Sequence, residues 1–283
     1  MIGLSLTIKG FRIVLSIIHY KYQYHNKLRY QEITEYPDYD ISGSHNKQTI
    51  LLLHGIAVTR KMWTPQMISM SSSYQLLAPD LPSHGSRSHE KFTFEGAVAG
   101  LNALLEERNC KNVLVVGFSL GGYLASELAC QYPDKINGLV LVSSSTIPKG
   151  YVSIPYHLLA FLYRIINHKW LAKREARLWR SRYGAPVAEP VIEAGFYHKA
   201  VPDLEKEIGG KDFLSGLESF EKPVLIINGE KDRIFRRGER LYRDKIKNSR
   251  VVVISKAGHR CLLDAPEEFN RHLLEFADSL FDF

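Results

Sequence analysis

Short, unbroken apolar runs recur along the chain, each closed by small or polar residues. Thr49-Ile-Leu-Leu-Leu53 is the first and ends in His54-Gly55. Tyr74–Ala78, Asn112–Gly117, Gly138–Ser143, Pro223–Asn228 and Val251–Ser255 follow. Runs of this length without polar alternation predict strands buried on both faces, as in a parallel sheet. Between them, apolar residues fall three and four apart. Phe94–Arg108 carries Val98, Leu101, Leu104 and Leu105, Gly121–Tyr132 is stopped by Pro133, and Pro266–Leu280 aligns Phe269, Leu273, Phe276 and Leu280. That spacing predicts amphipathic helices. Strands alternating with helices predict an α/β fold, a mainly parallel doubly wound sheet with helices on both faces. Leu28–Glu35 reads as a further strand, and Pro37–Asn46 as a turn-rich connection.

The strand rhythm stops over residues 147–221, a stretch too long for a plain crossover. Its spacing is helical, and we read it as an inserted helical cap, with the α/β core over 28–146 and 222–283. Tyr156–Ile166 is strongly apolar; Lys169, Lys173, Arg174, Arg177, Arg180 and Arg182 follow, with Trp170 and Trp179 among them. This stretch suits either an anionic membrane or head group, or a solvated helix face with its tryptophans in the cap core. Residues 1–27 form a separate apolar and basic segment. Lys9 and Arg12 interrupt its apolar run, which leaves it short for a transmembrane helix. A helix lying in a membrane interface and a helix packed on the domain both fit it.

Composition changes this picture little. The chain has 283 residues, 45% hydrophobic and 24% charged, which suits one globular α/β domain with an insertion. The net charge of +7 favours anionic surfaces or substrates. Zinc-finger spacing, RNP-like aromatics and long basic runs are absent, so nucleic acid is not an expected partner. Three cysteines, Cys110, Cys130 and Cys261, include no CxxC pair. That argues against a disulfide framework or a metal site and suits a reducing, cytoplasmic setting, with membrane association possible through the N-terminal segment.

The chemistry centres on Gly117-Phe-Ser119-Leu-Gly121, between an expected strand and an expected helix. A sharp strand-to-helix turn exposes the serine oxygen at the carboxyl edge of the sheet. Serine needs a base to take its proton. Ala257-Gly-His259 follows the last strand and falls on the same sheet edge, which singles out His259 among 11 histidines. A carboxylate must then orient the imidazole. Asp232, in Asn228-Gly-Glu-Lys-Asp232, is the candidate, with Glu230 as runner-up. Asp264 reads as a helix N-cap before Pro266, His54 as structural, and Cys261 as a packing residue. The oxyanion donors expected are the backbone N–H groups of Leu120 and Ile56.

These residues resemble the α/β-hydrolase superfamily, in its cap-bearing branch of small esterases and lipase-like enzymes. The resemblance covers about residues 28–283 and rests on His54-Gly55, Trp63, Asp80-Leu-Pro-Ser-His-Gly85 with Ser88, the Gly117–Gly121 elbow, Asp232 and Gly258-His259. One departure stands out: Ser83 occupies the place of a family glycine. The resemblance implies a serine hydrolase acting without metal or cofactor on a hydrophobic ester, with apolar cap residues lining the acyl pocket. An acyltransferase, a C–C bond hydrolase and a catalytically silent binding scaffold are the alternatives. The sequence leaves the oligomeric state open.

Overall fold

The computed structural model describes residues 33–281. The expectations for residues 1–27, and the Leu28–Glu32 part of the first expected strand, lie outside the described residues. Among residues 33–281 no helix is long and apolar enough to cross a membrane.

An eight-stranded sheet forms the centre, in the order β1-β2-β4-β3-β5-β6-β7-β8. Its strands are β1 (Thr34–Glu35), β2 (Tyr39–Ser42), β3 (Thr49–Leu53), β4 (Gln75–Pro79), β5 (Val113–Phe118), β6 (Ile136–Val142), β7 (Val224–Gly229) and β8 (Ser249–Ile254). From β4 through β8 neighbouring strands pair in parallel, whereas β1, β2 and β4 pair antiparallel. The apolar runs of β3 and β5 are unbroken because alternate side chains enter different cores. Leu51, Leu53, Val113 and Val115 pack on one face, and Ile50, Leu52, Leu114 and Val116 on the other. Each such side chain contributes roughly 1.5–3 kcal/mol when fully buried.

The helices flanking the sheet include α1 (Thr64–Met70), α2 (Phe94–Glu107) and α3 (Leu120–Gln131). Between β6 and β7 the chain forms α4 (Ile154–Ile165), α5 (His168–Tyr183), α6 (Ala185–Ala194) and α7 (Val201–Ile208). Asn167 caps α5 by accepting from the Trp170 N–H at 3.0 Å, and Gly184 closes it at φ 74°. Beyond β7 lie α8 (Glu239–Lys245), α9 (Cys261–Asp264) and α10 (Pro266–Leu280). The root of the segment between β6 and β7 is fastened by side chains. Ser145 Oγ donates to the Phe235 carbonyl at 2.9 Å, Thr146 Oγ1 to that of Ile234 at 3.1 Å, and Asn228 Nδ2 to Ser145 Oγ at 3.0 Å.

Four differences from the sequence expectations have physical reasons. The turn-rich stretch 37–46 contains strand β2, all of it buried. Asp40 is tolerated there because Arg60 Nε donates to it at 2.9 Å and Lys61 Nζ lies 2.9 Å away. Asp264 does not cap α10, whose N-cap residue is Ala265 without a side-chain cap bond. Its carboxylate instead accepts from the Gly258 N–H and from Arg182, each at 2.7 Å. The two tryptophans of the basic stretch divide: Trp179 is buried, whereas Trp170 is half exposed with Arg174 over its ring. The apolar run of α4 divides too, since Leu159 reaches a cavity while Ile154, Leu158, Phe161 and Ile165 face solvent.

Candidate active site

The sheet reverses its direction of growth at β3, with β4 on one side and β5 on the other. In open α/β sheets the crevice beyond the carboxyl ends of such strands is the favoured place for a ligand. Ser119 stands there, between β5 and α3, at φ 53° and ψ −114°. A side chain in that region carries strain on the order of 1–3 kcal/mol. The Ser119 N–H donates to the Val142 carbonyl at 2.9 Å, which helps hold the turn.

The flanking glycines make the turn possible. A Cβ on Gly117 would stand 2.2 Å from the Gly121 carbonyl oxygen, and one on Gly121 2.3 Å from that of Leu53. Both obstacles are backbone and cannot swing away. Gly121→Ala should therefore destabilise the protein by about 1–3 kcal/mol or more, read as an earlier urea midpoint.

Leu120 opens α3, so its N–H has no carbonyl four residues back within the helix. The loop after β3 runs beside the serine. A Cβ built on Gly55 would lie 3.5 Å from Ser119 Cβ, and Ile56 lines the same cavity as Ser119. Two buried histidines brace that loop. The Leu81 N–H donates to His54 Nε2 at 2.9 Å, while His54 Nδ1 faces the Gly55 carbonyl at 2.8 Å. The Ala57 N–H donates to His84 Nε2 at 3.0 Å, with His84 Nδ1 on the Pro82 carbonyl. Each ring thus uses one nitrogen as donor and one as acceptor, which requires the neutral form.

Burial, with His54 alongside, pushes the His84 imidazole down to about 3, and burial lowers that of His54. A histidine depressed in the folded state contributes stability above its unfolded value near 6.5. It loses that contribution as pH falls toward the folded value. Stability should thus drop as pH falls from about 6.5 toward 3, and His84→Gln should flatten that slope in urea titrations.

Ser83 takes φ 68° in the same loop, a conformation that favours glycine. Its hydroxyl offsets the cost by donating to the Glu90 carbonyl at 2.9 Å and accepting from the Phe92 N–H at 3.1 Å. Asp80 ties the loop to the sheet. It accepts from the backbone N–H of Arg60 at 3.0 Å and of Ser86 at 3.1 Å, and pairs with the Arg60 guanidinium.

Asp232 and His259 meet at the ends of β7 and β8. Asp232 Oδ2 lies 2.7 Å from His259 Nδ1, and its Oδ1 accepts from the Phe235 N–H at 3.3 Å. Asp232 is buried, while the His259 side chain is 38% exposed. Phe118 and Phe235 pack against the imidazole at centroid distances of 5.0 and 4.5 Å. These aromatic neighbours escaped the sequence analysis. Phe118 lay inside the elbow motif, but Phe235 carried no local signal. Glu230, the competing carboxylate, is engaged elsewhere, since its Oε2 accepts from the Lys256 N–H at 2.7 Å.

Ser119 and His259 line one cavity of about 260 Å³, with Ile56, Leu120, Leu159 and Phe235 among its walls. The site thus brings together a strained serine, a carboxylate-bound histidine, a helix N-terminus and an apolar cavity. Buried Cys261 lies near this centre, its Sγ 3.9 Å from Ser143 Oγ, and burial pushes its thiol up to about 12. The thiol is a packing group rather than a rival nucleophile.

The sequence pattern that defines the alpha/beta hydrolase family matches residues 50–272. The chain belongs to the alpha/beta hydrolase family. It is thus a hydrolase by family. Among its relatives is the protein PHYLLO, chloroplastic, of Arabidopsis thaliana, 26% identical over 265 residues that span 81% of this chain but only 15% of that protein. A pimeloyl-[acyl-carrier protein] methyl ester esterase of Neisseria meningitidis serogroup A is 26% identical over 255 residues, 82% of this chain and 78% of the relative. Among solved structures, MenH from S. aureus superposes with a TM-score of 0.73 at 20% identity, covering 87% of this chain and 99% of its own. That likeness is one of fold.

Proposed function

We propose that this alpha/beta hydrolase is a serine esterase that cleaves a carboxylic ester of a hydrophobic substrate through an acyl-enzyme. Ser119 attacks the ester carbonyl. His259 Nε2 takes the hydroxyl proton and returns it to the leaving alcohol. Asp232 holds the Nδ1–H tautomer and stabilises the imidazolium. The backbone N–H groups of Leu120 and Ile56 receive the oxyanion, and water then releases the acid. The helices between β6 and β7 act as a cap over the acyl pocket. This mechanism uses neither metal nor cofactor.

One observation carries the reading. His259, hydrogen-bonded to Asp232 at 2.7 Å, lines the same largely apolar cavity as Ser119, which stands at a strained turn ahead of a helix. The Neisseria relative named a methyl ester esterase supports an ester as the substrate bond.

A fluorophosphonate probe tests this directly. Wild type should label and Ser119→Ala should not. Folded wild type that resists the probe would overturn the proposal. A p-nitrophenyl ester series should then show a chain-length optimum set by the cavity, and added alcohol or thiol acceptors would reveal any acyl transfer.

A further inference from the structure

Helix α7 buries Val201, Leu204 and Ile208, and that spacing puts Glu205 on the same inward face. Glu205 is only 4% exposed. It lines the cavity that holds Ser119 and His259. Its Oε2 has no hydrogen-bond partner among the described residues. No ion pair among the described residues includes it either, in contrast to Glu175, which His198 engages at 2.9 Å. Ile56, Leu120, Leu159, Ile208, Ile234 and Phe235 make up most of the cavity wall around it; Ser119, Tyr123 and His259 are the other polar side chains on that wall, and none of them bonds its Oε2. A buried acid in such a place is costly unless a partner arrives. Native proteins rarely leave such groups unmatched without a use for them.

An unpaired carboxylate in apolar surroundings keeps its proton. Burial pushes the Glu205 carboxyl up to about 8, with no charged neighbour contributing. The titratable groups on the elements around it are Tyr163 and His157 on α4, His198 in the turn before α7, Tyr123 on α3, and His259 on the cavity wall. Glu175, Arg260 and Glu205 all act electrostatically on Tyr163.

We propose that Glu205 is a specificity residue whose carboxylic O–H donates a hydrogen bond to an oxygen acceptor, a ketone or hydroxyl oxygen, carried by the substrate away from the scissile ester. The proposal rests on the esterase reading for the bond that is cleaved, but not for the contact itself. A wholly apolar chain would fill the cavity and strand the acid without a partner. A chain with an oxygen at the right carbon would satisfy it. Sites built around a buried polar group discriminate in this way far more strongly than apolar pockets do.

The test compares octanoate esters with their oxo counterparts, the ketone moved one carbon at a time along the chain. Wild type, Glu205→Gln and Glu205→Leu are assayed for hydrolysis of the p-nitrophenyl esters. The Ser119→Ala protein, with and without each Glu205 change, is assayed by calorimetry for binding of the methyl esters. Wild type should prefer one oxo isomer over plain octanoate by roughly tenfold or more, mainly through KM. Glu205→Gln should keep the preference, because its amide N–H still donates. Glu205→Leu should lose it and gain on plain octanoate.

The wild-type preference should fade above about pH 8, where the acid ionises, and that of Glu205→Gln should not. Glu205→Leu should also melt a few degrees higher, since it removes a buried unmatched acid; a purely structural glutamate would melt lower. The same preference in all three proteins would overturn the proposal, as would a wild-type preference for an ammonium-bearing ester that grows above about pH 8. If no ester is hydrolysed, the esterase reading fails, while the binding ratios in Ser119→Ala still decide for or against Glu205.

Discussion

Asp232→Asn should lower the kcat for ester hydrolysis about 10⁴-fold while leaving KM and the melting temperature near their wild-type values. The reason lies in one proton. Asp232 Oδ2 sits 2.7 Å from His259 Nδ1, and in the proposed mechanism the carboxylate fixes the proton on Nδ1 and leaves Nε2 to accept from serine. An asparagine can turn its amide N–H toward Nδ1, which moves the ring proton to Nε2. The geometry survives and the base is lost. Fluorophosphonate labelling should slow in parallel. Glu230→Gln is the matching control. That carboxylate holds the Lys256 N–H at 2.7 Å rather than the imidazole, so its loss should change kcat less than tenfold. Equal losses in the two variants would remove Asp232 from the proposed triad.

The second large effect concerns stability. Arg60→Met should destabilise the fold by about 3–5 kcal/mol, because it strands two buried carboxylates. Arg60 donates to Asp40 through Nε at 2.9 Å and to Asp80 through Nη1, and it also reaches the backbone carbonyls of Tyr36 and Pro37. Asp40 and Asp80 are each 2% exposed. Lys61 covers one oxygen of Asp40, but among the described residues no second cation pairs with Asp80. For a domain of this size the loss corresponds to a melting temperature lower by roughly 10 °C. Urea unfolding checks it. A double variant in which Asp40 and Asp80 become Asn should recover part of the loss, since it removes the stranded charges. A full loss that persists in that variant would point to the guanidinium's backbone contacts instead.

The parts of this fold that were legible are those whose pattern is local. β3 after Thr49, β5, β6 from Gly138 and β7 up to Ile227 are apolar without interruption because both faces are covered, so the runs themselves report the sheet. β2 was hidden for the opposite reason. Its Tyr-Asp-Ile-Ser sequence looks like a loop until Arg60, twenty residues on, supplies the partner that lets Asp40 be buried. Asp264 misled through a local rule, Asp before Pro at a helix start, while its real partners Arg182 and Gly258 lie elsewhere in the fold. The elbow serine and the late histidine were readable from topology. Choosing between Asp232 and Glu230 was a matter of where a turn aims two carboxylates, which the sequence does not encode in any short pattern. Glu205 had a signal that went unread: an acid between Leu204 and Ile208 on an otherwise apolar helical stripe.

The helices that face the cavity leave the sheet after β6 and return at β7, two strands that are hydrogen-bonded neighbours from Leu139↔Val224 to Val142↔Ile227. β5, which carries Ser119, pairs directly with β6, and β7 pairs directly with β8. The strand ladder beneath the serine, histidine and aspartate is therefore continuous without passing through the segment between, which adds side-chain ties such as those of Ser145 and Thr146. Changes in that segment, which supplies Leu159, Glu205 and Ile208 to the cavity wall, should alter what the cavity admits while leaving the strand ladder in place. Selectivity and strand frame are thus two separable parts of one chain, and exchanging the segment between relatives should shift substrate range without rebuilding the sheet.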